Sequence, residues 1–153
     1  MKLNNEGLQN RAEWEAKGYR LPQYDRGKMI SETMERPFWV HFGAGNLFRA
    51  FHARAVEDML NAGTLDRGII AVEGFDYEIV EKRYLPHDNL GIVATLKADG
   101  TIEKTVVGAV AEAIPLDSAR EAYYGRLKEI FAIDYLQMAT ITITEKGYST
   151  VNG

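Results

Sequence analysis

One segment of the chain, residues 38–52, runs from a strand pattern through a Gly-x-Gly turn into an amphipathic helix. Gly43 can take the sharp turn at the strand end, and Gly45 has no Cβ, so a phosphate could approach its backbone closely. A helix that begins near Asn46 would point its free N–H groups and the positive end of its dipole at that anion. The layout predicts a nucleotide site. A plain strand-turn-helix corner also fits, because Phe48 occupies the place of the third glycine of the dinucleotide fingerprint.

Size and composition restrict the class of protein. A chain of 153 residues suits one domain, and the lack of cysteine excludes disulfides, thiolate metal sites and a cysteine nucleophile. The 18 basic and 22 acidic residues are interspersed, which argues against a nucleic-acid or anionic-membrane surface. We find neither a signal peptide nor an apolar run of the ~18 residues that a membrane span needs. We therefore expect a cytoplasmic protein.

The residues before this segment are predicted to form a helical extension, 1–37. Helical spacing covers 5–17, and Asp25 can cap a second helix that ends near Glu35, before Pro37.

The next residues predict one strand-helix-strand unit. Strands are expected at 38–42 and 68–73, with a helix at 46–62 between them. The spacing by four predicts a buried stripe on that helix, formed by Leu47, Phe51, Ala55 and Met59 and widened by Phe48, Val56 and Leu60.

The second half of the chain departs from this alternation. Residues 90–97 and 101–110 flank Ala98-Asp99-Gly100, and Asp-Gly between β-branched runs predicts an antiparallel hairpin. A helix capped by Asp117 or Ser118 and a strand at 138–144 follow. The predicted fold is α/β, the mainly parallel first half of a Rossmann-like doubly wound sheet with an inserted hairpin and two N-terminal helices. Because a complete dinucleotide fold needs a second half, we expect residues 38–153 to be a partial NAD-binding domain of a longer protein.

Glu73 ends the second strand of the unit, where a dinucleotide fold places an acidic acceptor for the adenosine ribose. Its charge would repel a 2′-phosphate and so favours NAD over NADP. The alternative is a solvated carboxylate at the strand end. Asp76 is a second candidate for the ribose, or the cap of a helix at 77–83.

The remaining polar residues give weaker signals. Arg49 either meets a phosphate or is an exposed helical arginine. The three histidines lack metal-ligand spacing, and His41 is interpreted as a core residue, so no metal site is predicted. Thr144 and Glu145 follow the last strand, at the sheet edge where ligands bind, whereas nothing in the sequence makes Lys146 a catalytic base.

Four segments resemble the mannitol dehydrogenase family of long-chain polyol dehydrogenases, which includes the fructuronate and tagaturonate reductases. They are Leu-Pro-Gln-Tyr-Asp-Arg at 21–26, residues 40–51, Val107-Gly108, and Ile-Thr-Ile-Thr-Glu-Lys-Gly-Tyr at 141–148, the most specific of the four. Phe48 and Phe51 stand where polyol 2-dehydrogenases often have histidines.

The resemblance implies an N-terminal dinucleotide-binding domain and a mostly helical C-terminal domain that carries the catalytic lysine with its asparagine and histidine partners. No residue of this chain matches those three, so no catalytic residue is assigned here. The implied reaction interconverts a secondary alcohol of a sugar alcohol or aldonate with the ketone, with NAD(H) or NADP(H) and without metal, and Glu73 favours NAD as the cofactor. The implied pyrophosphate loop consists of Gly43, Gly45, Asn46, Leu47, Phe48 and Arg49, with Glu73 on the ribose.

Two other functions fit part of the pattern. An S-adenosylmethionine-dependent methyltransferase also uses a glycine-rich first loop and an acidic residue after the second strand, but it accounts poorly for the hairpin and the Thr-Glu-Lys-Gly-Tyr segment. A non-catalytic nucleotide-binding module is the other alternative.

Overall fold

The computed structural model describes residues 1–143, so the predicted site residues Thr144 and Glu145 lie outside the described part. The helices are α1 (Arg11–Ala16), α2 (Arg26–Glu35), α3 (Ala53–Asn61), α4 (Tyr77–Ile79) and α5 (Glu121–Ala132). Short 3₁₀ or π-helical segments occupy Gly7–Gln9, Phe48–His52, Val80–Tyr84 and Leu85–His87. The strands are β1 (Tyr19–Arg20), β2 (Trp39–Phe42), β3 (Ile69–Glu73), β4 (Gly91–Leu96), β5 (Ile102–Val107), β6 (Val110–Pro115) and β7 (Met138–Ile141). None of the helices in this part of the chain is long and apolar enough to cross a membrane.

Four parallel strands form the central sheet, in the order β6-β3-β2-β7. The chain builds outward from β2 through β3 to β6 and then crosses to the opposite side of β2 to form β7. This is the strand order of the first half of a doubly wound sheet, and the reversal beside β2 creates a topological switch point. The predicted α/β class is confirmed.

The predicted hairpin forms around Asp99 and Gly100, with β4 and β5 antiparallel and Gly100 at φ +82°. It does not join the central sheet. Instead it makes a second sheet in the order β1-β5-β4, in which Tyr19 pairs with Lys104. The sequence does not predict β1, because a two-residue strand has too little pattern to be recognised apart from its partner.

The predicted strand at 101–110 was too long. It ends at Val107, and a separate strand, β6, pairs in parallel with β3. Residues 110–115, Val-Ala-Glu-Ala-Ile-Pro, show little alternation because most of them are buried on both faces of the sheet. The sheet therefore has one more parallel strand than the sequence predicted.

The predicted stripe on α3 was also wrong in its centre. All four residues at the centre of the stripe are exposed, namely Leu47, Phe51, Ala55 and Met59, whereas the three that widen it, Phe48, Val56 and Leu60, are buried against the sheet. Adjacent rows of the helix are both apolar, so spacing by four could not choose between them. The sheet decides, because the ring of Phe48 stacks on buried His41 at a centroid distance of 4.8 Å.

The residues before β2 are bound to the rest of the molecule by polar contacts. The Asp25 side chain accepts from the Lys28 N–H at 2.9 Å and caps α2, as predicted. Tyr24 donates to the buried carboxylate of Glu57 on α3 at 2.7 Å, and Arg26 donates to the Gly108 carbonyl at 3.0 Å. These contacts bring together Gly108 and the Leu-Pro-Gln-Tyr-Asp-Arg segment, two of the places that carry the family resemblance.

Candidate nucleotide-binding site

The loop after β2 has two glycines in different environments. Gly43 has φ +111°, and its N–H donates to the Val72 carbonyl of β3 at 2.7 Å. A Cβ on Gly43 would also lie 3.3 Å from Thr142. At Gly45 the backbone is ordinary and nothing lies within 4 Å of the place a Cβ would take. The fold therefore requires glycine at position 43, whereas position 45 faces open space that a ligand can occupy.

An open groove of about 760 Å³ lies above this loop. It sits at the carboxyl ends of β2, β3 and β7, which is the switch point where open α/β sheets bind their ligands. Its lining residues are Gly43, Gly45, Asn46, Leu47, Phe48, Glu73, Phe75, Asp76, Ile79, Thr142 and Ile143.

The helical segment that precedes α3 points its N-terminus at the groove. The Arg49 N–H donates to the Gly45 carbonyl at 3.2 Å and closes the first turn, so the N–H groups of the three residues before it have no partner within the helix. Phe48 is fully buried, whereas Asn46 and Leu47 are exposed at this end of the helix. These N–H groups and the positive end of the helix dipole suit an anion.

Glu73 joins the loop after β2 to the turn after β3. Its carboxylate accepts from the Ala44 N–H at 2.8 Å through Oε2, and from the Phe75 and Asp76 N–H groups at 3.0 and 3.3 Å through Oε1. The residue is only 7% exposed, so it is not the freely solvated carboxylate of the alternative interpretation. A carboxylate has about four lone-pair positions, so one on Oε2 is left for a ligand.

Asp76 lies on the same side of the groove with an exposed side chain. It is the N-cap residue of α4, as one of its two interpretations predicted, but its side chain makes no capping hydrogen bond. Phe75, next to it, is 96% exposed. The groove thus offers two acidic side chains and an apolar surface at its β3 end.

The arginines near the site lie away from this groove. Arg49 and Arg83 line a separate cavity, which shares Asn46 with the groove. Arg67 is paired with Asp66 at 3.1 Å and donates to the Arg36 carbonyl at 3.0 Å. Within the described residues, no basic side chain lines the groove.

His41 is a core residue, as interpreted from the sequence. Its ring nitrogens lie 2.7 Å from the Thr140 hydroxyl and 2.8 Å from the Thr142 hydroxyl, and Thr142 lines the groove. Burial and the neighbouring His52 ring lower the pKa of His41 to about 4, so the imidazole is neutral at pH 7. Within residues 1–143 no group of His, Asp and Glu side chains is arranged to hold a metal ion.

Two contributors to the site were missed. Thr142 was treated only as part of a strand, although Thr140 and Thr142 alternate in period two and so share one face of the β7 segment. Tyr84 donates to the Ala44 carbonyl at 2.8 Å and supports the glycine loop from below. No local pattern identifies Tyr84, because it acts 40 residues away from its partner.

The chain is similar to proteins of one enzyme family, although no protein-family model matches it. It is 46% identical over 149 residues to a D-mannonate oxidoreductase of Thermotoga maritima, covering 97% of this chain and 28% of that protein. It is 32% identical over 127 residues to the uncharacterized oxidoreductase YeiQ of Escherichia coli K12, covering 83% of this chain and 24% of that protein.

Two solved structures share the fold. A Pseudomonas fluorescens mannitol 2-dehydrogenase, in ternary complex with NAD and D-mannitol, matches with a TM-score of 0.75 and 26% identity. A D-sorbitol dehydrogenase in substrate-free form matches with a TM-score of 0.71 and 26% identity. Each match covers 97% of this chain and 28% of the solved chain.

The chain therefore spans about a quarter of the length of its relatives. The matches run over nearly all of its residues and include both the glycine loop and the hairpin. These similarities support a relation to the mannitol dehydrogenase family of long-chain polyol dehydrogenases.

Proposed function

We propose that this chain is the NAD-binding part of an oxidoreductase that interconverts a secondary alcohol of a polyol or aldonate with the corresponding ketone. The observation that carries the proposal is the groove at the switch point, where Gly45 leaves open space beside an unpaired helix N-terminus. The solved mannitol 2-dehydrogenase with NAD, which shares this fold, supports the choice of cofactor. The four relatives named above are oxidoreductases or dehydrogenases, so they give the methyltransferase alternative no support.

The pyrophosphate of NAD is assigned to the loop formed by Gly43, Gly45, Asn46, Leu47 and Phe48, through backbone N–H groups. Arg49 belongs to the same loop but lines the separate cavity rather than the groove. Thr144 and Glu145, outside the described residues, are assigned to the cofactor on the strength of their position after β7.

The adenosine ribose is assigned to the β3 end of the groove. The free acceptor position of Glu73 and the exposed carboxylate of Asp76 can both take ribose hydroxyls, and the exposed ring of Phe75 offers an apolar face to the adenine. Among the described residues that line the groove, a 2′-phosphate would meet two carboxylates and no arginine. This charge pattern supports NAD rather than NADP.

When bound, NAD supplies the hydride acceptor for the substrate carbinol. The residues of this chain bind and orient the cofactor, and no catalytic role is assigned to any of them. The family resemblance places the lysine that takes the hydroxyl proton in a C-terminal domain outside this chain, where the sugar substrate also binds. In this division, residues 1–37 form a helical extension and residues 38–153 the cofactor-binding part.

The substrate is proposed to be a sugar alcohol or a sugar acid, because the relatives include a D-mannonate oxidoreductase and a mannitol 2-dehydrogenase. Reduction of a keto-uronate such as fructuronate is the reverse of the oxidation of an aldonate. We also propose a cytoplasmic location, which a cysteine-free chain suits. Neither nucleic acid nor membrane is proposed as a partner.

Thermal unfolding with added ligand tests the cofactor assignment. A ligand that binds the folded state raises the melting temperature by mass action, so millimolar NAD is expected to stabilise the chain and S-adenosylmethionine is not. The Gly45→Val variant should lose the NAD-dependent shift, because its side chain fills the open space above the loop. Its own melting temperature should change little, since no protein atom lies within 4 Å of the new Cβ.

Gly125→Val is the matched control, because Gly125 also has nothing within 4 Å of an added Cβ but lies on α5, away from the groove. This variant should keep the whole NAD-dependent shift. The assignment is wrong if Gly45→Val responds to NAD as the unchanged chain does, or if only S-adenosylmethionine raises the melting temperature.

A further inference from the structure

Four side chains form a series of hydrogen bonds that ends at the groove above the glycine loop. Trp39 Nε1 lies 2.7 Å from the Thr140 hydroxyl oxygen, and the same oxygen lies 2.7 Å from His41 Nδ1. On the other side of the ring, His41 Nε2 lies 2.8 Å from the Thr142 hydroxyl oxygen, and Thr142 lines the groove. The series therefore connects a tryptophan indole to a hydroxyl that a groove ligand can reach.

Strand pairing produces this hydrogen-bond series. His41 pairs with Thr140 in the parallel register of β2 and β7, and Thr142 follows two residues later, so its side chain lies on the same face. His41 is fully buried, and its ring stacks on that of Phe48 at a centroid distance of 4.8 Å. The stacked ring holds the plane of the imidazole between the two threonine hydroxyls.

The direction of each hydrogen bond follows from Trp39, whose indole N–H donates and cannot accept. The neutral His41 ring has one protonated and one unprotonated nitrogen, and its partners decide which is which. A proton on Nδ1 would give the half-buried Thr140 oxygen two donors, and the hydroxyl proton of Thr140 would have no acceptor among the described residues. A proton on Nε2 instead lets Thr140 accept from Trp39 and donate to Nδ1.

A proton on Nε2 frees the Thr142 hydroxyl to donate into the groove. The Nε2–H then donates to the Thr142 oxygen, which has no other hydrogen-bond partner within residues 1–143. Because Thr142 lines the groove, its own proton can bond to an acceptor there. The oxygens of a pyrophosphate accept hydrogen bonds at neutral pH and do not donate them, so a hydroxyl held as a donor matches this ligand.

We propose that Thr142 is a cofactor-binding residue that donates its hydroxyl to the pyrophosphate of NAD, and that His41 is a positioning residue that holds the hydroxyl in this direction. Thr142 lies beside the loop assigned to the pyrophosphate, since a Cβ on Gly43 would be 3.3 Å from the Thr142 Cβ. The inference rests on the proposed function for the identity of the ligand. The direction of the hydrogen bonds does not depend on that identity.

The position of the His41 proton can be measured without any ligand. Long-range proton–nitrogen NMR spectra of the isotope-labelled chain distinguish a protonated from an unprotonated ring nitrogen, and His41→Gln identifies the His41 signals by their loss. At pH 7 we expect the proton on Nε2. A proton on Nδ1 would overturn the inference, because the Thr142 hydroxyl would then donate to the ring instead of the ligand.

Variants of Thr142 test the use of its hydroxyl. Thr142→Val removes the hydroxyl and keeps the branched shape, so NAD titrated to millimolar concentration should bind roughly tenfold or more weakly. Thr142→Ser keeps the hydroxyl and should bind NAD nearly as the unchanged chain does. Thr95→Val is the matched control, because Thr95 is exposed on β4 and does not line the groove, and it should leave NAD binding unchanged.

The same NMR signals report on the contact between His41 and the ligand. Bound NAD should shift the His41 Nε2 signal in the unchanged chain and in Thr142→Ser, because a ligand that accepts from the hydroxyl polarises the next hydrogen bond of the series. The Nε2 signal should not respond in this way in Thr142→Val, where the valine side chain cannot connect the ring to the ligand. An equal shift in Thr142→Val would count against the inference.

Two binding results would also overturn the inference. One is NAD binding by Thr142→Val equal to that of the unchanged chain, and the other is an equal loss of NAD binding in Thr142→Val and Thr142→Ser. Failure of the cofactor assignment gives a different result. Absence of NAD binding by the unchanged chain, with the His41 proton on Nε2, would refute that assignment and the ligand named here, but not the donor direction of Thr142. NAD binding that depends on Gly45 but not on the Thr142 hydroxyl would refute the present inference alone.

Discussion

The contact between Tyr24 and Glu57 is expected to hold the N-terminal residues against α3. The Tyr24 hydroxyl donates to Glu57 Oε2 at 2.7 Å, and the same oxygen accepts from the Gly108 N–H at 2.8 Å. Asn61 donates to the other oxygen at 3.1 Å. Glu57 is fully buried, and burial raises the pKa of its carboxyl group. One buried side chain therefore joins three separate parts of the chain.

Removing the Tyr24 hydroxyl costs one hydrogen bond and leaves Glu57 with two donors. Tyr24→Phe should therefore lower the free energy of unfolding by about 1–2 kcal/mol. For a chain of this size, that corresponds to a fall in melting temperature of roughly 2–8 °C. Glu57→Ala should cost more, about 3–5 kcal/mol, because it leaves the Gly108 N–H and the Tyr24 hydroxyl buried without an acceptor and opens a cavity.

The assay is urea unfolding at pH 7, followed by circular dichroism and by the fluorescence of buried Trp14, which packs in the N-terminal cluster. Combining both substitutions gives a double-mutant cycle, with an expected coupling of about 1–2 kcal/mol. Tyr135→Phe is the control, since Tyr135 is 53% exposed. The reasoning fails if Tyr24→Phe is as stable as Tyr135→Phe, or if the two losses add without coupling.

Three further results are expected. Gly43→Ala should lower the free energy of unfolding by about 1–3 kcal/mol in urea, because φ is +111° there. Gly125→Ala in α5 should instead raise the free energy of unfolding by up to about 1 kcal/mol. Equal effects of the two substitutions would contradict backbone strain at Gly43. The lowered pKa of His41 makes the folded state bind fewer protons than the unfolded state, so stability should fall as the pH drops from about 6.5 towards 4. The free energy of unfolding of His41→Gln should fall less between pH 7 and pH 4.5 than that of the unchanged chain. An equal fall in both would mean that another group is responsible. In the whole enzyme, Glu73→Gln should raise the Michaelis constant for NAD and narrow the preference for NAD over NADP, and Asp76→Asn gives the comparison. If neither substitution changes the preference for NAD over NADP, neither residue belongs to the ribose site.

The groove above the glycine loop and the separate cavity lined by Arg49 and Arg83 share Asn46. Glu73 and Tyr84 fix this loop through the N–H and the carbonyl of Ala44, respectively. A ligand in the groove therefore meets a loop already positioned by the protein. Such preorganisation reduces the cost of ordering when a ligand binds.

The sequence alone determined the features that depend on neighbouring residues. The turn at Gly43, the cap at Asp25 and the hairpin at Asp99-Gly100 all appear where the pattern predicted them, because backbone freedom, side-chain capping and turn geometry act within a few residues. The family resemblance was likewise carried by short segments. The assignment of the glycine loop and Glu73 to the cofactor remains a prediction.

The tertiary structure decided everything that depends on distant partners. It placed β6 beside β3 and β1 beside β5, and it chose Phe48 over Phe51 for the core. It also placed the Glu73 carboxylate within hydrogen-bond distance of the Ala44 N–H, and it placed Arg49 and Arg83 in the lining of one cavity. Parallel strand pairing joins residues far apart in the chain, and two apolar rows on one helix are equivalent until a sheet covers one of them. Which neighbour a side chain meets is therefore fixed only when the whole chain packs.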